Sequence, residues 1–206
     1  MKRAKQSVAR RPRIVAEARL PTRFGAFTIF GVEGNGAGES AVVLQRGRVN
    51  GRTAPLVRVH SQCLTGDVLC SVRCDCRAQL EDALRRIARA RCGLLLYLPQ
   101  EGRGIGLMNK LRAYELQDRG MDTVEANRRL GFADDARDYR FTAAVLKRLG
   151  ARRVRLLSNN PDKVRQLERG GIRVVERVPS RPRLRRGARA YLRTKRDKLG
   201  HLLANL

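Results

Sequence analysis

Three cysteines in one short polar stretch are the residues best suited to chemistry. Cys74 lies eleven positions after Cys63, and Cys76 follows two positions later, among serine, threonine, aspartate and arginine residues. Thiolates at this spacing suit a soft tetrahedral metal, and catalytic zinc combines three protein ligands with a fourth position open to water. The spacing therefore predicts a zinc site at Cys63, Cys74 and Cys76.

Two other interpretations of the same stretch stay open. His60 could supply a fourth ligand, which would give a closed, structural Cys3His zinc site. The three thiols could instead pack as small hydrophobic groups, although their polar neighbours make this the weaker alternative. Cys70 and Cys92 stand in apolar runs, and we expect both of them to be buried.

Length and composition indicate one globular domain. The chain has 206 residues, of which 42% are hydrophobic, enough to bury a sizeable core. Five cysteines, an odd number, without an N-terminal apolar stretch argue against a secreted disulfide scaffold. No apolar run reaches the length of a membrane span. We therefore expect a cytoplasmic protein.

The charge of the chain is strongly positive. Lys and Arg number 45 against 19 Asp and Glu, a net charge of +26, with basic clusters at 1–13 and 181–189. Such a field attracts polyanions such as nucleic acid, anionic membrane or a nucleoside triphosphate. Aromatic residues make up only 4%, so stacking platforms for single strands are scarce. A solvated basic surface is favoured over a dedicated nucleic-acid function.

Hydrophobic periodicity predicts alternating strands and helices. The strands are expected at 14–19, 25–31, 40–46, 55–60, 94–98, 153–157 and 172–178. The helices are expected at 78–91, 109–119, 141–149 and 163–169, with a turn at 20–22 and a polar segment at 122–127. This pattern indicates an α/β (α+β) fold, a mixed β-sheet with flanking helices in a single domain.

The predicted domain organisation has three parts. Residues 1–13 form a disordered basic tail, and 14–178 form the catalytic domain. Residues 179–206 form a basic segment that closes with a short helix at 194–203.

Two further segments carry residues that could bind or react. The glycine-rich run at 100–107 follows a strand and precedes a helix, so its backbone N–H groups could hold an anion. Within it, Glu101 could accept from a purine N–H pair and Arg103 could grip phosphate, or both could be solvated charges on a tight turn. Near Arg137, three carboxylates at 134–138 could cap a helix or supply a base. The glycine cluster at 33–39 is expected to be a hairpin turn.

Several motifs in the same order resemble the GTP cyclohydrolase II family. Residues 58–67 read Arg-Val-His-Ser-Gln-Cys-Leu-Thr-Gly-Asp, and 71–76 read Ser-Val-Arg-Cys-Asp-Cys. Further motifs follow at 97–107, 109–118, 122–127, 130–132, 134–139 and 156–161. The resemblance covers about 14–178. It implies an enzyme that opens the purine ring of GTP at the entry to riboflavin synthesis and releases a diaminopyrimidine ribosylamino phosphate, formate and pyrophosphate.

The resemblance also implies roles for particular residues. Zn²⁺ would be held by the three cysteines, Mg²⁺ would accompany the triphosphate, and the protein would be a homodimer. Asp135 matches a proton acceptor, and Tyr114 matches a tyrosine tied to completing ring opening. Arg137 matches a residue proposed to attack the α-phosphorus, or it stabilises developing charge, since a guanidinium stays protonated. The residues that fall where the family contacts GTP are Arg58, Gln79, Glu101, Gly102, Arg103, Thr123, Ser158 and Lys163.

The chain departs from the family pattern at a few positions. Arg77 stands where the family usually has glycine, directly after Cys76, and its side chain is expected to crowd the site or disturb the turn. Pro99 replaces a basic residue, and Ser158 replaces threonine but keeps the hydroxyl. Two alternatives remain: the same reaction in a paralogue that feeds a specialised pyrimidine-derived pathway, or a degenerate scaffold that binds polyanions.

Overall fold

A computed structural model describes residues 11–36, 39–180, 196–197, 200 and 202, and the statements below concern these residues. Seven strands form one sheet. They are β1 (Arg13–Thr22), β2 (Gly25–Glu33), β3 (Ser40–Arg46), β4 (Leu56–Ser61), β5 (Gly93–Leu98), β6 (Arg153–Leu157) and β7 (Arg173–Val178). Their order across the sheet is β1-β2-β3-β5-β4-β6-β7.

The sheet has an antiparallel half and a parallel half. Strands β1, β2, β3 and β5 pair antiparallel, whereas β5, β4, β6 and β7 pair parallel. Parallel neighbours need crossover connections, which helices normally provide. The carboxyl ends of β4, β5 and β6 therefore meet at one edge of the sheet, where ligands of such sheets usually bind. The predicted mixed sheet is confirmed.

Five α-helices accompany the sheet. They are α1 (Cys76–Arg89), α2 (Leu107–Asp118), α3 (Thr123–Arg129), α4 (Arg140–Arg148) and α5 (Pro161–Arg169). The crossover from β4 to β5 contains α1, and the crossover from β6 to β7 contains α5. A π-helical turn at Leu64–Val68 follows β4, and a 3-10 turn at Glu101–Gly104 follows β5.

The two faces of the sheet bury separate hydrophobic clusters. Successive side chains of a strand point to opposite faces, and β5 follows this rule. Leu94 and Leu96 pack with residues of α4 and α5, whereas Leu95 packs with Ala83 and Ile87 of α1. All five of these side chains are at most 1% exposed. Helices on both faces thus hold the parallel half rigid beneath its carboxyl edge.

Helix α3 occupies the stretch for which the sequence predicted only a polar segment, so that prediction is wrong. The Asp122 carboxylate accepts hydrogen bonds from the backbone N of Val124 at 2.7 Å and of Glu125 at 3.1 Å. The Glu125 carboxylate in turn accepts from the backbone N of Asp122 at 3.1 Å. This capping box satisfies otherwise unpaired donors and starts a helix with little apolar periodicity.

Removing this cap is expected to destabilise the fold. Asp122→Ala should lower the free energy of unfolding by about 1 kcal/mol, because it leaves two helix N–H groups without an acceptor. Urea denaturation measures the change. Asp122→Asn is the matched control, because asparagine caps helices about as well as aspartate. Equal loss in both variants would show that the capping oxygen is not responsible.

The first turn lies later than predicted. β1 continues through Leu20, Pro21 and Thr22, and the chain reverses at Arg23 and Phe24. Proline cannot donate to a ladder and is found on edge strands, and β1 is the edge of this sheet. Pro21 is therefore compatible with a strand here, contrary to its use as a turn signal.

The chain ends are described only in part. Residues 1–10 of the predicted tail lie outside the described residues, and Arg13 already belongs to β1. Most of the predicted closing helix at 194–203 also lies outside them, although 196–197 are helical. The three-part domain organisation stays a prediction. Within the described ranges, no helix is long and apolar enough to cross a membrane.

Candidate active site

A cavity of about 430 Å³ opens at the carboxyl edge of the parallel strands. It is bounded by the segments after β4 and β5, by the start of α1, and by α2 and α3. Of the residues singled out from the sequence, those that line it are Cys63, Cys74, Cys76, Glu101, Gly102, Arg103, Tyr114, Thr123 and Arg137. Arg137 comes from the connection between α3 and α4, so the fold gathers residues from six separate segments around one space.

The three thiols form a compact group. Their sulfur atoms all lie within 4.8 Å of one another, and the Sγ atoms of Cys63 and Cys74 are 3.7 Å apart. Tetrahedral zinc with Zn–S bonds of about 2.3 Å separates two sulfur ligands by about 3.8 Å. The spacing of the thiols therefore fits a metal ion of this kind.

Local structure explains how the thiols meet. Gln62 donates its backbone N–H to Leu98 at 2.8 Å, which fixes the chain as β4 ends. The π-helical turn then places Gly66 against the thiols. A Cβ on Gly66 would lie 2.8 Å from the Cys74 sulfur and 3.2 Å from the Cys63 sulfur, so only glycine fits. Cys76 is the first residue of α1, where the helix dipole favours negative charge.

The charge states of the thiols differ. Hydrogen bonds from Cys74 and Cys76, together with the nearby Lys110 ammonium, lower the pKa of Cys63 despite its burial. The hydrogen bond to Cys63 raises the pKa of Cys74 to about 11. The Lys110 ammonium, 3.1 Å from the Cys63 sulfur, thus favours a thiolate at Cys63, and a bound dication would displace the remaining protons.

His60 is not a member of the thiol group. Its Nε2 lies 3.1 Å from a carboxylate oxygen of Asp67, and its ring stacks on Tyr97 with centroids 5.5 Å apart. Burial lowers the pKa of His60, which outweighs the opposing effect of Asp67. Neutral His60 thus serves Asp67, and this arrangement favours the open three-thiol site over a Cys3His site.

Asp67 is a residue whose role the sequence did not reveal. Its carboxylate accepts from the Tyr97 hydroxyl at 2.9 Å and from the backbone N of Cys63 at 3.1 Å, besides facing His60. These bonds tie the cysteine turn to β4 and β5. The motif Leu-Thr-Gly-Asp was visible, but nothing local showed that its aspartate would turn inward.

Asp135 and Arg137 form a two-bond pair beside the cavity. Arg137 Nε donates to Asp135 Oδ1 at 2.8 Å, and its Nη2 donates to Oδ2. Burial of the Asp135 carboxyl opposes ionisation, but the bonds and charge of Arg137 prevail, so the pKa of Asp135 lies below its usual value. Asp135 is therefore a carboxylate, and a weak base for as long as the pair holds. Only Arg137 lines the cavity.

Backbone conformation singles out the turn after β5. Gly102 and Arg103 both have left-handed φ angles, of 60° and 63°. That conformation costs a non-glycine residue on the order of 1 kcal/mol and clusters at functional sites. Arg103 accepts a backbone bond from Ala136 at 3.2 Å, which links this turn to the segment that carries Asp135.

Tyr114 faces the thiols from α2. Its hydroxyl lies 3.2 Å from the Thr65 hydroxyl, and the Arg73 guanidinium sits 4.8 Å from its ring centroid. Burial raises the pKa of Tyr114, so it remains a protonated hydroxyl that can donate a hydrogen bond.

The other predicted substrate residues do not line the cavity. Arg58 donates to the Leu157 carbonyl at 3.2 Å and to the Gln79 side chain. Lys163 donates to the Val59 carbonyl at 2.8 Å, and Ser158 is 2% exposed. The structure does not bring these four residues to the cavity surface; they brace the ends of β4 and β6.

Arg77 does not crowd the thiols, contrary to the expectation from its position. Its Nη1 donates to the Asp67 carbonyl at 3.2 Å and to the Cys70 sulfur at 3.1 Å. Its Nε lies 3.2 Å from Glu81. A side chain at this point of α1 projects along the outside of the cysteine turn and fastens it to the helix.

The prediction for the two remaining cysteines was half right. Cys92 is buried as expected, whereas Cys70 is exposed. Cys70 has φ of 60° in the loop after the π-helical turn, a conformation that carries the run of apolar residues around it to the surface. Val68 and Leu69 beside it are 60% and 66% exposed.

Comparison with known proteins gives a consistent result. The family GTP cyclohydrolase II matches residues 12–179. A GTP cyclohydrolase-2 of Azotobacter vinelandii is 54% identical over 192 residues, covering 93% of this chain and 92% of that protein. One of Escherichia coli is 54% identical over 189 residues, covering 92% and 96%. A riboflavin biosynthesis protein of Vibrio vulnificus is 52% identical over 188 residues, covering 91% of this chain and 51% of its own length.

Proposed function

Because the chain belongs to the GTP cyclohydrolase II family, we propose that it is a zinc enzyme that opens the purine ring of GTP. Its products would be a diaminopyrimidine ribosylamino phosphate, formate and pyrophosphate, and the reaction would belong to riboflavin biosynthesis. The observation that carries the proposal is the group of three thiols on the wall of a cavity that also contains Arg137.

Cys63, Cys74 and Cys76 would hold the metal. Zinc bound by three protein ligands supplies a Lewis acid and brings the pKa of water towards neutrality. The arrangement of the chain favours this site: Gly66 leaves room for the thiols, and Asp67 holds the Cys63 backbone.

The basic residues of the cavity suit the phosphates. Arg137 presents a guanidinium there, and Arg103 stands beside it, so the two cations could bind the triphosphate with its Mg²⁺. Asp135 orients Arg137 through two parallel bonds. Because a guanidinium in such a pair stays protonated, we assign Arg137 the stabilisation of charge on the α-phosphoryl group during pyrophosphate release. Asp135 would accept a proton only after the pair loosens.

The remaining residues fall into two groups. Glu101, Gly102 and Thr123 lie at the cavity, and we assign them contacts with the guanosine part, while Tyr114 can donate a proton or hydrogen bond near the thiols. We assign the partly buried Gln79 and the buried residues Arg58, Ser158 and Lys163 to GTP as well, through a movement of the substrate or of the chain that brings them together.

We also propose a homodimer in a reducing, cytoplasmic environment. The exposed apolar side chains Val68, Leu69 and Met108 support an interface, since large apolar groups at the surface often mark association sites. The free cysteines among the described residues agree with a reducing environment.

The test is to supply zinc-loaded protein with GTP and Mg²⁺ and to follow formate and pyrophosphate together. Equal amounts of both would establish the reaction. Pyrophosphate without formate would limit the activity to the Arg137 side of the cavity. If neither product appeared, the result would contradict the proposal and favour the polyanion-binding alternative. That alternative predicts nucleic-acid affinity that falls steeply with salt.

Restoring the usual glycine at position 77 tests the role of Arg77. Arg77→Gly should leave the rate of formate release within about twofold, because the side chain lies outside the cavity. It should lower the free energy of unfolding by about 1–2 kcal/mol, through the glycine in a helix and the lost bond to the turn.

The matched control for Arg77→Gly is Arg85→Gly. Arg85 lies in the same helix and also pairs with Glu81, at 2.9 Å, but no hydrogen bond described for it reaches the cysteine turn. Urea denaturation of both variants separates the cost of glycine from the value of the Asp67 contact. A markedly faster Arg77→Gly enzyme would show that the arginine obstructs the site after all.

A further inference from the structure

Lys110 is a buried lysine beside the thiol group. It lies in the first turns of α2, is 8% exposed, and lines the cavity beside the thiols. Burying an ammonium is costly unless anionic or polar partners surround it. Its partners therefore indicate what the lysine does.

All three donors of the Lys110 ammonium are used. Its Nζ lies 2.7 Å from Glu101 Oε1, 2.9 Å from the Thr65 hydroxyl and 3.1 Å from the Cys63 sulfur. An ammonium has three donors and no acceptor. The lysine thus connects α2 to Cys63, to Thr65 in the turn after Cys63, and to Glu101 in the turn after β5.

Glu101 is committed to the same network. Its Oε2 accepts from the backbone N of Leu64 at 2.7 Å, and its Oε1 accepts from the backbone N of Gly102 at 3.2 Å as well as from Lys110. A carboxylate offers about four acceptor positions, so three of them are filled from within the protein. The carboxylate grips the residue directly after Cys63.

We propose that Lys110 and Glu101 are positioning residues for the metal, with Lys110 donating a hydrogen bond to the Cys63 thiolate and Glu101 fixing both the lysine and the cysteine turn. The inference rests on the proposed function, in which the thiols hold zinc. It gives Glu101 a role towards the metal that precedes any contact with guanine.

Charge balance supports this role. Three thiolates around a dication leave one net negative charge in a partly buried site, and the Lys110 ammonium compensates it at hydrogen-bond distance. Partners that hydrogen-bond to metal ligands fix their orientation and tune their donor strength. The same ammonium lies 5.6 Å from the ring centroid of Tyr114, so it also helps to place that side chain.

The experiment compares Lys110→Met, Glu101→Gln and the double variant with the unmodified chain. Zinc affinity is measured by competition with a coloured chelator, and Co²⁺ replaces Zn²⁺ to report on the sulfur ligands by absorption. Lys147→Met, on the exposed surface of α4, is the matched control. Circular dichroism verifies that each variant is folded.

Lys110→Met should weaken zinc binding by about tenfold to hundredfold. Its sulfur-to-cobalt charge-transfer band should move to longer wavelength, because a thiolate without its hydrogen bond holds its electrons less tightly. Glu101→Gln should weaken zinc binding less and leave the band near its original position, since Lys110 still donates to Cys63. The double variant should show the shifted band, and it decides the matter if Lys110→Met leaves Glu101 too poorly compensated to fold.

Different failures have different meanings. Folded Lys110 variants with zinc affinity within about twofold of the unmodified chain and an unshifted band would overturn the inference alone. A Glu101→Gln protein with unchanged zinc affinity would overturn the Glu101 half of the inference, and a greatly raised KM for GTP in the same variant would leave Glu101 with its substrate role alone. If the unmodified chain bound no metal, the proposed function would fall and the inference with it.

Discussion

Cys74→Ser is expected to reduce formate release from GTP to about one thousandth of the original rate or less. A catalytic metal contributes several kcal/mol to its reaction, and a loss of about 4 kcal/mol corresponds to about a thousandfold. Cys74 sits 3.7 Å from Cys63 and shares the hydrogen-bonded thiol group. A serine hydroxyl at this point is a poor ligand for a soft metal.

Metal content and formate release, measured on the same sample, check this prediction. Cys70→Ser is the matched control, because Cys70 lies in the same loop but is exposed and outside the thiol group. It should keep both the metal and the activity. A Cys74→Ser protein with full zinc and full formate release would remove the three-thiol site from the mechanism.

Arg137→Lys is expected to slow pyrophosphate release by about a hundredfold to a thousandfold. Lysine keeps the positive charge, but it cannot make the two parallel bonds that hold Arg137 against Asp135. A point charge on a flexible stem is therefore poorly placed to stabilise the phosphoryl group. Zinc content should not change, since the candidate metal ligands are the three cysteines and not Arg137.

The pH profile gives this variant a second readout. Without the two bonds from Arg137, burial disfavours the ionised carboxylate of Asp135 unopposed, so the pKa of Asp135 rises. If the carboxylate form is required, the acidic limb of the rate profile should move to higher pH in Arg137→Lys.

Asp135→Asn serves as the partner control for Arg137→Lys. It should remove the acidic limb of the rate profile that Asp135 causes. The rate of pyrophosphate release in the double variant should fall by less than the product of the two single-variant factors, because the residues act as one unit. Pyrophosphate release at the original rate in Arg137→Lys would show that the guanidinium is not used in that step.

The sequence was informative where the signals were local. Strands β3 and β6 begin and end where the apolar runs at 40–46 and 153–157 predicted. The thiol group was also predicted from spacing, because its members lie within one short connection. Helix α3 was missed because its signal, a capping box at Asp122, does not appear as hydrophobic periodicity.

The long-range parts of the site could not be predicted from local signals. Lys110 looks like one more solvated charge on a helix, since its partners Cys63 and Glu101 lie 47 and 9 positions away. Asp67 turns inward only because Tyr97 and His60 meet it from neighbouring strands. The apolar run around Cys70 also predicted that it would be buried, whereas the path of the loop decides its exposure.

All three candidate metal ligands lie between the end of β4 and the first residue of α1. The entropy that a cross-link removes from the unfolded chain grows with the logarithm of the length of the loop that it closes. A cross-link within this short segment therefore constrains the unfolded chain less than one between distant segments would. Bound metal would stiffen this connection, while the two buried clusters keep the sheet folded without it. If the thiols bind zinc as proposed, we expect the protein to stay folded when the metal is removed, so that its activity would follow the supply of zinc.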